Sequence, residues 1–377
     1  MAEIRLLFLI QVLIFFAGNA ARAQEKTTGQ TKSAGKRFPR IGIFLPLSHN
    51  EDSRLKTENI LEYYKGMMAA NEYCTSIDSG MNFRLFDHQN SVEELLLLSE
   101  SGCMNGLDLI VGPIRQNLVP VLDSIANAKD IPLINVLSHS SHTAFSGCMT
   151  FQQPSFQAIA ATCLLKAEKL GSNQGAGIIY GPERKDSLLA EEYRKLCLEK
   201  NLPVKLFLKA EDGKSEKLVQ SLSSSGLNSK MHLFVAGNEA QNRVKVFSGY
   251  TSSKVRCPVF FYGNWLERSS LDFDELSMMP CYFVAPDLPI PPFDAEWLES
   301  FVTRWGNPPS WVAWKGFDLV MMLANHWYGS KKSRFELNSG WQHSELFGRY
   351  FFEPGKAENQ FVPLYKFDKN GFSMVNP

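Results

Sequence analysis

The sequence predicts an α/β protein built from two doubly wound parallel-sheet lobes with multiple crossovers between them, and three observations predict it. Short apolar runs that stop at Gly or Pro alternate with longer segments of helical spacing, the same rhythm restarts near Thr150 to Pro154, and a proline-rich stretch late in the chain must be extended and could be a second crossing. The clearest short run is Leu107-Asp108-Leu109-Ile110-Val111-Gly112-Pro113. It is too short for a helix and ends on a strong breaker, so it reads as a strand buried on both faces. Such strands belong to parallel sheets, whose ligands collect beyond the carboxyl ends of the strands where the strand order reverses. Gly112 and Pro113 are expected at such an end.

The amino terminus reads as an export signal. Arg5 precedes an apolar run from Leu6 to Ala17, and Ala21-Arg22-Ala23 supplies small residues before Gln24, so residues 1–23 are expected to be cleaved. A run of about 12 apolar residues is too short to span a bilayer. No later apolar run in the sequence is long enough either, so a soluble periplasmic or secreted product is expected, with no stable membrane insertion. Residues 24–37, rich in Gln, Lys, Thr, Ser and Gly, read as a flexible leader.

From Phe38 the elements follow in order. Ile41 to Leu47 is an apolar strand, and Thr57 opens a helix whose apolar residues Ile60, Leu61, Tyr64, Met67 and Met68 recur at helical spacing. Met81 to Asp87 alternates as a strand, Val92 to Leu98 is a helix, and the Leu107 strand follows. A helix carrying Leu118, Val121, Leu122, Ile125 and Ala126 on one face leads to the strand Pro132 to Leu137. With right-handed crossovers this order gives a doubly wound parallel sheet. The second run has helices at Ser155 to Leu170, Leu188 to Glu199, Ser215 to Leu222 and around Ala240 to Tyr250. Its strands are Gly175 to Tyr180, Val204 to Leu208, His232 to Ala236, Val259 to Tyr262 and Tyr282 to Ala285. Asp287 to Phe293 must be extended because proline disfavours helix before it. Helices at Asp294 to Trp305 and Trp311 to Trp327 come next. Tyr350 to Phe352 with Phe361 to Phe367 reads as a hairpin-like pair, and the turn Asp368-Lys369-Asn370-Gly371 leads to a last short strand.

Composition narrows the function. Lys+Arg and Asp+Glu both total 39, and the balance stays essentially neutral once the signal is removed, which gives no reason to expect nucleic acid as a partner. G-x-S-x-G, H-E-x-x-H, P-loop and G-x-G-x-x-G patterns are all absent, so neither an enzyme nor a cofactor is predicted. The seven cysteines include no C-x-x-C. Cys74 with Cys103 and Cys257 with Cys281 each precede candidate strands and could close a disulfide at a sheet edge, the alternative being buried free thiols. His139 and His142 are spaced H-x-x-H, but no third ligand has suitable spacing, and the bland reading is loop histidines at the surface. Trp305, Trp311, Trp314 and Trp327 could line a binding groove, but at helical spacing they read as core and lobe-packing residues, while Glu183 and Glu239 fit ligand contacts and solvated loop ends equally.

Several of these residues together resemble a family. Ile41-Gly-Ile-Phe-Leu-Pro-Leu-Ser48, the helix end Gly66-Met-Met-Ala-Ala-Asn71, Arg84-Leu-Phe-Asp87 with Gln89, Leu109-Ile-Val-Gly-Pro113 and Phe367-Asp-Lys-Asn-Gly371 follow one another as in the type 1 periplasmic binding fold of the branched-chain amino acid binding proteins. The likeness covers Arg40 to Val375. It implies three crossings, with one lobe formed by residues 38–152 and 287–333 and the other by 153–286 and 334–377. It also implies a ligand held between lobes by the loops after the strands. The loop residues it marks as ligand contacts are Ser48, His49, Gly112, Pro113, Ser138 and His139 in the first lobe, with Tyr180, Asn238, Asn264 and Trp265 in the second. Amino-acid binders of this family usually place an acid near the Gly263 loop; here Asn264 stands there, which argues against an α-amino acid ligand. The resemblance implies a small-molecule ligand, with an ABC permease as partner for uptake or sensing. The same fold also serves as a protein-interaction module of the bacterial envelope, as in the outer-membrane activators of peptidoglycan synthases, and an envelope protein is then the partner.

Overall fold

Strands and helices alternate in two runs, and each run builds its own sheet. The computed structural model describes residues 37–47, 54–115, 117–137, 139, 149–210, 215–237, 246, 249–253, 255–263, 279–285, 295–329, 334–336, 341–344, 349–353, 356–368 and 371–375. Within Pro39–Pro377, a single compact unit, both sheets are present.

The first run comprises β1 (Arg40–Leu45), α1 (Arg54–Ser76), β2 (Asn82–Asp87), α2 (Val92–Glu100), β3 (Leu109–Val111), α3 (Val119–Ala128), β4 (Leu133–Asn135) and β5 (Met149–Phe151). Its five strands are parallel in the order β2-β1-β3-β4-β5. The order reverses between β1 and β3, where Ile43 pairs with Val111. Every residue of β3, β4 and β5 is buried, which is why these stretches read as unbroken apolar runs and not as alternating ones. Ser91 starts α2 by accepting the Glu94 amide on its hydroxyl at 3.2 Å, and Ser155 caps the next helix through the Ala158 amide at 3.1 Å.

The second run comprises α4 (Phe156–Lys169), β6 (Ala176–Tyr180), α5 (Arg184–Glu199), β7 (Val204–Lys209), α6 (Ser215–Ser224), β8 (His232–Ala236), β9 (Val259–Tyr262) and β10 (Cys281–Val284). There follow α7 (Ala295–Trp305), α8 (Trp311–Gly329), β11 (Trp341–Ser344), β12 (Arg349–Phe352), β13 (Leu364–Asp368) and β14 (Gly371–Met374). The second sheet runs β14-β13-β10-β9-β8-β6-β7, with β13 and β14 antiparallel to the rest or to each other.

The helix α8 returns to the first sheet, where Trp314, Phe317, Leu319, Val320 and Leu323 share a core with Ile41, Tyr63, Met67 and Val111. It crosses α1 at close range through two glycines. A methyl group at Gly66 would overlap the Ala313 carbonyl, and one at Gly316 would overlap the Tyr63 carbonyl, so each helix supplies the gap that the other's backbone enters.

Three expectations change. Tyr350–Phe352 does not pair with Phe361–Phe367: β12 pairs with β11, and β13 pairs with β10 and β14. No apolar alternation marks Trp341-Gln-His-Ser344, so pattern alone could not find that partner. Second, the chain does not leave the first sheet at residue 334, because Phe335, Tyr350 and Phe352 lie in the core beside Ile41 and Tyr63. The return runs later, where Phe151 donates to the Ala357 carbonyl at 2.6 Å and accepts from Asn359 at 3.0 Å. Third, neither Cys74 with Cys103 nor Cys257 with Cys281 forms a disulfide. Cys74 belongs to the core under α1 and α8, with its sulfur 3.7 Å from Met321 Sδ, whereas Cys103 packs on the opposite core and donates to the Leu98 carbonyl at 3.0 Å. Cys257 and Cys281 are both buried in one apolar core, the alternative that the composition left open.

Candidate functional site

The strand ends of both sheets carry the groups that chemistry could use. In the second sheet the pairings Tyr180 with Ala236, Ala236 with Tyr262 and Tyr262 with Val284 set the last residues of four parallel strands in line. Glycine follows three of them. Gly237 and Gly263 adopt φ of +152° and +121°, a region that favours glycine, and a methyl group at Gly181 would overlap the carboxylate of Asp186. The Asp186 carboxylate, buried in the first turn of α5, therefore sits against the backbone that leaves β6 and β8. Its negative charge, after burial itself, raises the Tyr262 hydroxyl above its ordinary range.

In the first sheet Gly112 has φ of +127°, and a side chain there would strike the Phe44 carbonyl. The loop it opens is held by Asn135, wholly buried at the end of β4, whose side-chain amide donates to the Pro113 carbonyl. Leu47 N and Gln89 N both donate to Asp87 Oδ1, at 3.0 and 2.8 Å, tying the ends of β1 and β2 together.

His139 joins the two sets. Its Nδ1 lies 2.7 Å from the Pro154 carbonyl, which can only accept, so Nδ1 carries the proton and Nε2 is the acceptor. Tyr262 Oη then donates to Nε2 at 3.1 Å. Phe156 stacks at a tilt on the imidazole with centroids 4.6 Å apart. Burial pushes the His139 pKa down to about 4 against the opposing pull of the Pro154 carbonyl, and the positive charges of Lys315 and Lys185 lower it further. This histidine is half-buried and held by two partners, where a loop residue at the surface was expected.

Of the ten candidate contacts, Gly112, Pro113, His139 and Tyr180 are placed: Tyr180 ends β6, Gly112 and Pro113 directly follow β3, and His139 lies in the loop four residues beyond β4. Ser48, His49, Ser138, Asn238, Asn264 and Trp265 lie outside the described residues, as do Glu239 and His142. Glu183 is an exposed loop end whose carboxylate meets Lys185 Nζ at 2.8 Å. Trp314 and Trp327 are buried packing residues, and Trp305 and Trp311 are partly covered. Sequence reasoning passed over Asp186, Asn135 and Tyr262. An acid in a first helical turn is ordinary and carries no signal, but Tyr262 does: it is the aromatic that closes a strand immediately before a glycine. Among the described residues no cluster of three His, Cys, Asp or Glu could hold a metal ion, and no helix is long and apolar enough to cross a membrane.

Two successive doubly wound sheets, linked by several crossings and presenting their strand ends to one another through His139 and Tyr262, have the architecture of the type 1 periplasmic binding proteins. The chain has that fold, shared with the substrate-binding proteins of branched-chain amino acid ABC transporters. An ABC transporter substrate-binding protein from Desulfitobacterium hafniense, solved in complex with Leu, matches at a TM-score of 0.57 and 16% identity over 90% of this chain and 100% of that one. A branched-chain amino acid ABC transporter protein from Rhodopseudomonas palustris matches at a TM-score of 0.60 and 12% identity over 89% of this chain and 95% of that one. Full-length LpoA from Haemophilus influenzae matches at a TM-score of 0.64 and 12% identity over 90% of this chain and 59% of that longer one. No protein-family model and no curated protein matches the sequence.

Proposed function

We propose that this is an exported, non-catalytic solute-binding protein whose two lobes close on a small ligand, for ABC-type uptake or sensing. The observation that carries the reading is the Tyr262–His139 contact: a strand end of the second sheet touches the loop after β4 of the first, where a ligand held by both would sit. Ligand energy would act by favouring the closed arrangement over an open one. Ser48, His49, Gly112, Pro113, Ser138 and His139 would line one wall, and Tyr180, Asn238, Asn264 and Trp265 the other, with Trp265 and Tyr180 against an apolar portion. Backbone amides and hydroxyls of the loops beyond these ends would suit a carboxylate or similar anion. The reading is supported by structural likeness to a leucine-bound substrate-binding protein, although Asn264 speaks against an α-amino acid. Isothermal titration against amino acids, short peptides and cell-wall fragments should give heat with one class; silence from all three would overturn the reading.

A second reading is an envelope protein-interaction module without a small ligand, and the likeness to LpoA favours it. Recovery of an envelope enzyme in a pull-down from membranes, combined with no calorimetric heat, would decide for this reading over the first.

A further inference from the structure

The helix α2 is apolar on faces that a surface helix keeps polar. Its sequence, Val92-Glu-Glu-Leu-Leu-Leu-Leu-Ser-Glu100, buries Leu95 completely in the core that also holds Phe44 and Leu107. The remaining large apolar residues do not all follow it inward. Leu97 is 58% exposed, Leu96 46% and Val92 37%. Val92 and Leu96 are one turn apart, and Leu97 adjoins Leu96, so the three lie on the outer side of one short helix. Isolated exposed leucines are normal, and Leu165 and Leu198 on α4 and α5 are of that kind; clustered ones mark contact surfaces.

Charge says what would cover this face. Glu93 and Glu100 fall between Leu96 and Leu97 around the helix, Glu94 adds a third carboxylate, and the helix contains no basic residue. Glu93 accepts from the Ser91 hydroxyl at 2.6 Å, a bond that holds its carboxyl below the usual range and therefore ionised. None of the three forms an ion pair among the described residues. A second copy docking helix on helix about a twofold axis would set these carboxylates against their own copies, and an anionic membrane surface would be repelled in the same way. An apolar segment flanked by cations suffers neither penalty.

We propose that the outer face of α2 is a docking surface for a segment of another protein that carries apolar residues with lysine or arginine beside them. This does not depend on whether the strand-end site holds a ligand. The test uses the full-length protein and a labelled Leu/Lys peptide of helical spacing, with a Leu/Glu peptide of the same spacing as control. The Leu/Lys peptide should bind, weaken with added salt, and lose affinity by about tenfold or more, some 1.4 kcal/mol, in L96S/L97S. E93Q/E100Q should weaken it by a smaller factor, and the Leu/Glu peptide should not bind. Because all three residues are at the surface, the variants should melt with the wild type; should L96S/L97S fail to fold, Leu97→Lys replaces it with the same expectation. Equal binding by L96S/L97S or by the Leu/Glu peptide would overturn the proposal. So would a wild-type dimer that L96S/L97S abolishes, or co-sedimentation with phosphatidylglycerol vesicles that depends on Leu96 and Leu97.

Discussion

Tyr262 donates its hydroxyl to His139 Nε2 at 3.1 Å, and because His139 Nδ1 is committed to the Pro154 carbonyl, the acceptor has no other tautomer to offer. A residue at the end of β9, one in the loop after β4 and one beside the first crossing are thus joined in a single hydrogen-bonded chain. Tyr262→Phe removes the donor and leaves a half-buried imidazole nitrogen short of it. The expected loss is about 1–2 kcal/mol of stability in chemical denaturation. If the site binds ligand as proposed, the same variant should weaken the calorimetric affinity without changing stoichiometry. A Tyr262→Phe protein as stable as the wild type would show that the contact does not hold the two sheets.

Acid should act through the same group. His139 has its pKa lowered from 6.5 to about 4, so below pH 6.5 the unfolded chain takes up a proton that the folded chain refuses. Its contribution is present in full above about pH 6.5 and is lost as pH falls toward 4. By the linkage relation it amounts to on the order of 3 kcal/mol. His232, whose ring is held between the Tyr193 hydroxyl at 2.8 Å and the Ser172 carbonyl at 2.7 Å, is lowered by burial in the same direction. The melting temperature should fall between pH 6.5 and 4, and His139→Gln should flatten part of that fall. A profile in His139→Gln identical to the wild type would exclude the residue as a cause.

Thiol chemistry should separate one cysteine from the rest. Burial holds the Cys197 and Cys257 thiols up at about 12 and raises Cys163 and Cys281 further, so none of the four forms thiolate near neutrality. Cys103 is partly exposed. Of these five, Cys103 should label first with an alkylating reagent at pH 8, and the others only in denaturant. Mass mapping of modified peptides reads this directly, and a Cys74–Cys103 or Cys257–Cys281 peptide pair surviving without reductant would contradict it.

What could be read from the sequence follows from which residues are buried on both faces. Leu109-Ile-Val111 and Val259-Phe-Phe-Tyr262 pack helices on either side, so their apolar runs declare themselves and the sheet order follows from right-handed crossovers. Trp341–Ser344 has no such pattern, which left Tyr350–Phe352 matched to the wrong partner. The site was legible only as loops. That Gly112 follows β3 and His139 lies in the loop after β4 follows from strand boundaries, but the coupling of His139 to Tyr262 joins residues 123 positions apart and leaves no local trace. Asp186 is hidden for a different reason: the glycines that admit it, Gly181 and Gly237, look like ordinary turn residues.

The crossing of α1 and α8 offers a test of packing. With Gly66 against the Ala313 carbonyl and Gly316 against the Tyr63 carbonyl, an added methyl group meets backbone that cannot rotate away. Gly66→Ala and Gly316→Ala should each destabilise by about 1–3 kcal/mol, despite the better helix propensity of alanine. The double variant should cost less than the sum of the two, because separating the helices once relieves both clashes. Additive losses in urea denaturation would mean that the two glycines act independently.

Gln152 occupies the first crossing and is satisfied on both ends of its amide. Its Oε1 accepts from the Tyr63 hydroxyl at 2.8 Å, while Nε2 donates to the Tyr350 hydroxyl at 3.0 Å and to the Lys315 carbonyl at 3.2 Å. One side chain therefore links α1, α8 and β12 at the point where the chain leaves the first sheet. Gln152→Ala leaves the Tyr63 hydroxyl, wholly buried, without its acceptor and should cost roughly 2–3 kcal/mol. Adding Tyr63→Phe removes the stranded group and should recover part of that loss, since an apolar pair is less costly than half of a polar one. Thermal unfolding of the four proteins in the cycle measures the coupling. A Tyr63→Phe change that costs as much in Gln152→Ala as in the wild type would show that the two side chains do not interact in solution.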